Sequence, residues 1–528
     1  MITRRQFGVG AGAAASAVMT SRIALGQTQE LRIGSSQAVT SMDPYFHNLG
    51  PNNMMRQHFF DGLVEQDARQ RLMPGLAESW RVVNDTTWEL KLRRGVKFHD
   101  GSDFTAEDVV ASFKRAPAVP NSPSSFGIYT RPVREIQVID AHTIHMVTNG
   151  PYPLLLNDIS NIAIISKAHV EASTADFNSG RAMVGTGPYR FGEYTPGERV
   201  VLQRFDGYWG DKEPWQRVTW RIITNGSARV AALRAGDVDI IDDVPTQDVS
   251  AMRNNRDISV VSAPSNRVIY LHMDRSRGDG PTPFVTQKNG QPLDKNPLND
   301  LRVRQALSMA INRRGITERT LDGAGIPASQ FLPDGFFGIS PRLQVTGFDA
   351  DRARRLLAEA GYPQGFKITL HGPNDRYINS PQVLQAVAQM WTRIGVETVV
   401  DVSPWATYSS RASRQEFSIF LVGWGAGTGE TSSPLRSLVA TFDSATGFGA
   451  SNRGRYSNPA MDQVLRRALQ TVDDTQRAAL LAEASDLAIN DLAIIPLHYE
   501  VSSWATRAGL KYEGRADQYT LAMSVRPA

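Results

Sequence analysis

The feature that most restricts this chain is that its hydrophobic period keeps switching between two and 3.6. "TWELKLR" places Trp88, Leu90 and Leu92 on one face, the spacing of a half-buried strand. "GSDFTAEDVVASFKR" then turns helical, with Thr105 as N-cap and Asp108 three residues on, a capping-box pattern. "HTIHMVT" and "RVVLQRF" are further strands. "NDLRVRQALSMAINRRG" predicts a helix from Asn299 or Asp300 to Gly315. "DADRARRLLAEAG" predicts one closed by Gly361 as a left-handed cap. In "SPQVLQAVAQMWTRIG", Ser380 is the expected cap and Pro381 sits in the first turn, where its missing N–H costs nothing. Leu384, Val387, Trp391 and Ile394 form its apolar stripe. "IGVETVVDV" returns as a strand. Such alternation argues for α/β units rather than a β-sandwich.

A chain of 528 residues, 41% hydrophobic and 21% charged, is long enough for more than one domain. Two looser stretches interrupt it. Residues 115–127, "RAPAVPNSPSSFG", read as a surface loop. Residues 275–300, rich in Gly, Pro and Asn, read as a crossing between domains.

The N-terminus has the form of a processing signal. Arg4 and Arg5 precede a weakly apolar Gly/Ala segment, and "ALG" before Gln27 has the small-x-small form of a cleavage site. "TRRQF" resembles a twin-arginine export signal, so residues 1–26 are expected to be removed. The formal charge then falls from +4 to +1, because Arg4, Arg5 and Arg22 leave and no acid does. No basic cluster interleaved with aromatics remains, which argues against nucleic acid as a partner. Cysteine is absent, excluding disulfides, thiolate chemistry and a lipid-modified N-terminal Cys. The expected mature protein is exported and soluble, with no acyl anchor.

"FLVGWGAGTGE" places glycines at 423, 425, 427 and 429 after an apolar run. It fails as a phosphate loop, since no Lys-Ser/Thr follows, and as a dinucleotide fingerprint, since Glu430 stands where Gly or Ala is needed. A tight turn and a ligand-approach loop both remain open. "GDVDIIDD" lacks the glycine and terminal glutamate of a calcium loop and reads as a solvated turn and strand end. The scattered histidines give no metal motif, and no GxSxG is present. No cofactor or metal is implied. Carboxylates distant in sequence keep a secreted hydrolase open as the alternative.

Four stretches resemble extracytoplasmic solute-binding proteins of family 5, the peptide/nickel/opine class serving ABC importers. They are "LAESWRVVNDTTWELKLRRGVKFHDGSDFTAEDVVASFKR" (76–115), "GTGPYRFGEYTPGERVVLQRFDGYWGDKEPW" (185–215), "RVAALRAGDVDII" followed by "LRVRQALSMAINRRGI", and "DLAIIPLHYE" (491–500). The resemblance implies a type II, cluster C-like periplasmic-binding-protein fold with two lobes and three domains. Domain I would take residues 28–65, 186–285 and 501–528, domain II residues 66–185, and domain III, the second lobe, residues 286–500. A solute would bind between the lobes, and hinge closure would bury it for delivery to an inner-membrane permease and its ATPase subunits. The class also implies a monomer and no enzyme activity.

The resemblance further assigns a ligand site. Trp405, Tyr408 and Trp424 would line it, with the loop Gly425, Ala426, Gly427, Thr428 and Glu430. Asn374 and Arg376, in "HGPNDRYINS", lie in a loop between strand and helix, where Arg376 could meet an anion. Many peptide binders of the class carry an Asp where this chain has Gly427. Either Glu430 replaces that amine-anchoring acid, or the ligand lacks the amine. The N–H groups of residues 425, 427 and 429 are then candidates for holding a carboxylate or phosphate. An oligopeptide or a peptide-like, opine-type compound is the expected ligand.

Overall fold

The structure is a computed structural model that describes residues 29–528; the expected export signal lies outside the described residues. Its spine is a mixed sheet. In order across the sheet run Val285–Thr286, Lys367–Pro373, Ile419–Gly425, Ile258–Met273, Ile494–Arg507, Ile240–Ile241, Glu30–Ser35, Arg217–Ile222, Arg199–Arg204 and Tyr189–Thr195. A separate antiparallel sheet of four strands, between Ala77 and Thr148, carries Trp88, Leu90 and Leu92 inward as their alternation predicts.

Two strands serve both halves of the spine. Ile258–Pro264 pairs with Val501–Arg507, and Val268–His272 pairs with Ile494–Tyr499. Between them the register shifts, leaving Ser265, Asn266 and Arg267 outside that ladder. Such an irregularity bends a strand and re-aims its side chains. Beyond it, Ile269, Leu271 and Met273 pack on one face with Leu307, Leu384 and Trp391. Val268 and Tyr270 pack on the other with Phe420, Leu465 and Leu481. This half is thus a sheet covered by helices on both faces, which explains its near-continuous apolar strands. The first half has its own core, built around Phe59, Leu90, Ile164, Trp220 and Trp504.

Several local expectations need correction. The stretch 275–300 does not cross between halves. Its segment Val285–Thr286 is an edge strand on Lys367–Ile368, and Asn296 donates to the Asp274 carbonyl at 2.8 Å. The crossing is made by the two long strands, whose residues from 268 to 273 pack in the cores of the second half. The helix after Asp300 ends at Met309; Asn312 caps a new turn by accepting from the Gly315 N–H at 2.8 Å. Asn379, at φ +47°, rather than Ser380 occupies the cap before Pro381. Ser380 is instead turned to the Pro373 carbonyl, 2.8 Å away. Elsewhere the signals hold: Asp108 accepts from the Thr105 N–H at 2.9 Å, and Gly361 has φ +92°. Among the described residues no helix is long and apolar enough to cross a membrane.

Candidate functional site

The parallel strands place their carboxyl ends along one crevice. Glu30–Ser35 and Ile240–Ile241 run parallel and deliver Ser35, Ser36 and Asp242 to it. On the other side Lys367–Pro373, parallel to Glu397–Ser403 and Ile419–Gly425, leads into Arg376, Trp405 and Gly425. Crevices at strand ends, where the chain connection reverses, are where open α/β sheets bind ligands. The crevice holds a cavity of about 550 Å³ and beside it one of about 180 Å³. The larger lies within the ~300–1,000 Å³ of ordinary small-molecule sites.

Charge of both signs faces the larger cavity. Arg267, on the shifted segment of the long strand, stands 3.3 Å from Glu500. Burial raises the pKa of Glu500, and Arg267 opposes the rise. Asp242 accepts from the Ser35 hydroxyl at 2.8 Å and from the Ser36 N–H at 2.7 Å. Burial still pushes its pKa up to about 6. This corrects the solvated turn expected at "GDVDIIDD": Asp242 is buried, although Asp243 is exposed. Arg376 lies 5.7 Å from the Trp405 ring and 5.8 Å from the Tyr377 ring. The Trp405 ring meets Tyr377 edge to face at 5.9 Å, and its backbone N–H donates to Asp375 at 2.7 Å.

The expected site residues separate into two groups. Arg376 and Trp405 line the larger cavity, and Gly425 and Gly427 the smaller. Tyr408 does not face either: it is 1% exposed, its hydroxyl donates to the Leu421 carbonyl at 2.7 Å, and its ring stacks on Phe417. Trp424 lines neither cavity; it packs on the second half's core and donates its indole N–H to Ser433 at 3.2 Å. Ala426 is fully buried. Asn374 is exposed outside both cavities, its N–H on the Ser403 carbonyl. Glu430 is 2% exposed and paired with Arg477 at 2.6 Å, so it is not a free acid for an amine. The Gly429 N–H closes a turn on the Ala426 carbonyl, so three free N–H groups do not line up there.

The loop instead bridges the crevice. Gln70, at φ +58°, donates to the Gly427 carbonyl at 3.2 Å, and Asn157 donates to the Thr428 carbonyl at 2.8 Å. A Cβ at Gly429 would stand 2.9 Å from the Gln70 carbonyl, so only glycine permits that approach. Asn266 ties the two sides together, donating to Gln70 at 2.8 Å and to the Ala426 carbonyl at 3.1 Å. Residues missed from sequence were Arg267, Asp242, Glu500, Gln70 and Asn266. Glu500 carried a signal as the last residue of "DLAIIPLHYE", and Asp242 one in "GDVDIIDD" that was read as solvated.

With this geometry in view, the comparisons identify the class. Residues 71–446 match the family described as "Bacterial extracellular solute-binding proteins, family 5 Middle". The chain belongs to that family. The glutathione-binding protein GsiB of Salmonella choleraesuis is 30% identical over 471 residues, covering 87% of each chain. The structure of HbpA2 from Haemophilus parasuis superposes with a TM-score of 0.81 at 23% identity, covering 94% of this chain and 100% of that one. The periplasmic murein tripeptide-binding protein MppA, in its unliganded open form, gives a TM-score of 0.79 at 25% identity, covering 95% and 98%. The fold is that of the type II periplasmic binding proteins of cluster C. The protein is a solute-binding component of an ABC importer.

Proposed function

We propose that the crevice captures a short peptide or a peptide-like, opine-type solute in the periplasm and presents it to an inner-membrane permease driven by its ATPase subunits. The observation that carries this is a cavity of about 550 Å³ with both Arg267–Glu500 and Arg376 on its walls. A peptide is zwitterionic, and opposite charges placed on preformed walls match it better than an apolar pocket would. The named ligands of GsiB and MppA, glutathione and a murein tripeptide, are of the same chemistry. Trp405, Arg376, Gly425 and Gly427 form the ligand-facing set of the expected residues, joined by Arg267, Glu500 and Asp242. The protein acts as a monomer, exported through its twin-arginine signal and without a lipid anchor. Isothermal titration against a peptide library, glutathione and opine-type conjugates tests the ligand class; heat from none of them rejects it. Recovery of cleaved products would instead favour the secreted hydrolase.

Closure accompanies capture, and the ligand favours the closed state by touching both sides. The Asn157 and Gln70 bonds to the 427–428 carbonyls already join the two sides without a ligand. Asn157→Ala is expected to open the free protein, visible as a larger radius of gyration in X-ray scattering. It should weaken binding roughly threefold to tenfold, the worth of one net hydrogen bond. An unchanged scattering profile and affinity would remove this loop from the closure step.

Gly427 tests the missing amine anchor. Its φ is not left-handed, and a Cβ there meets nothing within 4 Å. Gly427→Asp is therefore expected to fold normally and to bind free-amine peptides about tenfold more tightly, through a new charge pair. Equal or weaker binding of those peptides in calorimetry contradicts the assigned position.

A further inference from the structure

The smaller cavity holds a charge pattern that no partner among the described residues completes. Arg56 lines it and is only 6% exposed. Among the described residues its single side-chain hydrogen bond runs from Nη1 to the Asn161 carbonyl at 2.5 Å, and its guanidinium lies 4.9 Å from the Phe126 ring. Among the described residues no carboxylate pairs with it. The other arginines buried to this degree are better provided. Arg115, Arg304, Arg477 and Arg515 pair with Asp43, Asp491, Glu430 and Asp517. Arg229 and Arg313 each make at least three hydrogen bonds. A buried guanidinium left with one carbonyl is costly, and a cavity at its free edge is where an anion would relieve it.

Glu65 faces the same cavity. One oxygen accepts from the Gly62 N–H at 2.6 Å, and no cation among the described residues pairs with the carboxylate. Burial, with Asp61 nearby, pushes its pKa up to about 7, so a bound ammonium would restore its ionised form. Arg56 and Glu65 thus look into one chamber of about 180 Å³ without bonding each other, beside Arg267 and Asp517, which are already paired with Glu500 and Arg515. That volume suits a small polar head and not a whole peptide. The chamber joins the larger cavity through shared walls at Gly50, Arg267, Asp517 and Tyr519.

We propose that the smaller cavity seats a free α-amino-acid head, with its carboxylate on Arg56 and its ammonium on Glu65, while the rest of the solute extends into the larger cavity. This rests on the reading that the crevice takes peptide-like solutes, and it narrows that class to compounds carrying an ammonium and a carboxylate on one carbon. Ordinary peptides separate the two groups to opposite ends; side-chain-linked peptides and amino-acid conjugates keep them together.

Isomeric dipeptides separate the possibilities. γ-Glutamylglycine has such a head, and α-glutamylglycine has the same mass and charge without it. Calorimetry with the mature protein is expected to show the γ isomer binding at least about tenfold more tightly. Arg56→Gln should cut γ-isomer binding by about a hundredfold and erase the preference, with thermal denaturation checking that the variant is folded. Glu65→Gln should weaken the γ isomer more than its N-acetyl derivative, which has no ammonium. Equal binding of the two isomers by the wild-type protein overturns the assignment while leaving the peptide reading intact. So does a preference that survives Arg56→Gln, or silence from both isomers where longer peptides bind. Heat from no peptide of any length and from no opine-type conjugate defeats both readings.

Discussion

Arg477→Met is expected to cost the protein about 3–5 kcal/mol of stability, the penalty for stranding a buried charge. The charge stranded is Glu430, 2% exposed and paired with Arg477 at 2.6 Å. Besides Arg477, Glu430 accepts only from the Ser432 hydroxyl among side chains. Arg477 is equally enclosed, with Asp474 at 2.8 Å and the Phe337 ring 4.3 Å below its guanidinium. The effect should be strongly non-additive. Glu430→Gln with Arg477→Met replaces the pair by neutral groups and should recover most of the loss, since a buried pair and a well-packed neutral substitute differ little. Because Glu430 ends the loop that reaches Gln70 and Asn157, the single variant should also weaken ligand binding. Urea denaturation of the two variants and the wild type checks this. A single variant within about 1 kcal/mol of the wild type would mean that the pair does not anchor the loop.

The same pair shows where sequence reasoning stopped. Glu430 was legible as an acid next to a glycine loop, but its partner lies 47 residues on, in a helix whose charges look like any solvated face. Local signals did better. The alternation in "TWELKLR", the stripe in "SPQVLQAVAQMWTRIG" and the glycine at 361 depend only on neighbours in the chain, and each took the expected form. The α/β class and the family likewise rest on patterns repeated along the chain. Side-chain direction did not follow. Trp405, Tyr408 and Trp424 are all aromatic and close to the crevice in sequence, yet only Trp405 reaches it. A one-residue difference in position on a helix or strand turns a ring from cavity to core, and residue type does not record that turn. Arg267 was invisible for a related reason: its exposure to the crevice comes from the register shift in the long strand, which pairing partners far away in sequence impose.

The pH dependence of stability is expected to be nearly flat from pH 6.5 to about 4.5 and to fall steeply below. Five imidazoles among the described residues are buried and held neutral, His99 among them. Burial depresses His58 and His371 to about 4, and His272 and His498 to about 3, from an ordinary 6.5. Each protonates in the unfolded chain below pH 6.5 but not in the fold, so each lowers stability as pH falls, by roughly 1.4 kcal/mol per pH unit until its folded value is reached. Six carboxyl groups among the described residues act in the opposite direction, Asp61, Glu213 and Glu500 among them, each raised by burial. Burial raises Glu65 and Asp158 to about 7 and Asp242 to about 6. In these the fold keeps a proton that the unfolded chain releases above its ordinary value, so their contribution is full at low pH and fades as pH rises through roughly 4 to 7. Between about pH 4.5 and 6 the two sets nearly cancel. Below that the unfolded carboxyls are protonated as well, and the imidazole contribution is joined by carboxylates held low by their partners, Glu89 at about 2 through Arg81 and His145 among them, which lose stability in the same direction. His272→Leu isolates one proton. Neither ring nitrogen of His272 has a hydrogen-bond partner, and the ring packs against Phe420 and Tyr270, so an apolar replacement loses contact area rather than a polar bond. The variant should be about as stable as the wild type at pH 7. Between about pH 6.5 and 3 its stability should fall less steeply, by roughly 1.4 kcal/mol per pH unit, in urea titrations at half-unit steps. Parallel curves for the two proteins would show that His272 takes up its proton in the fold as readily as outside it.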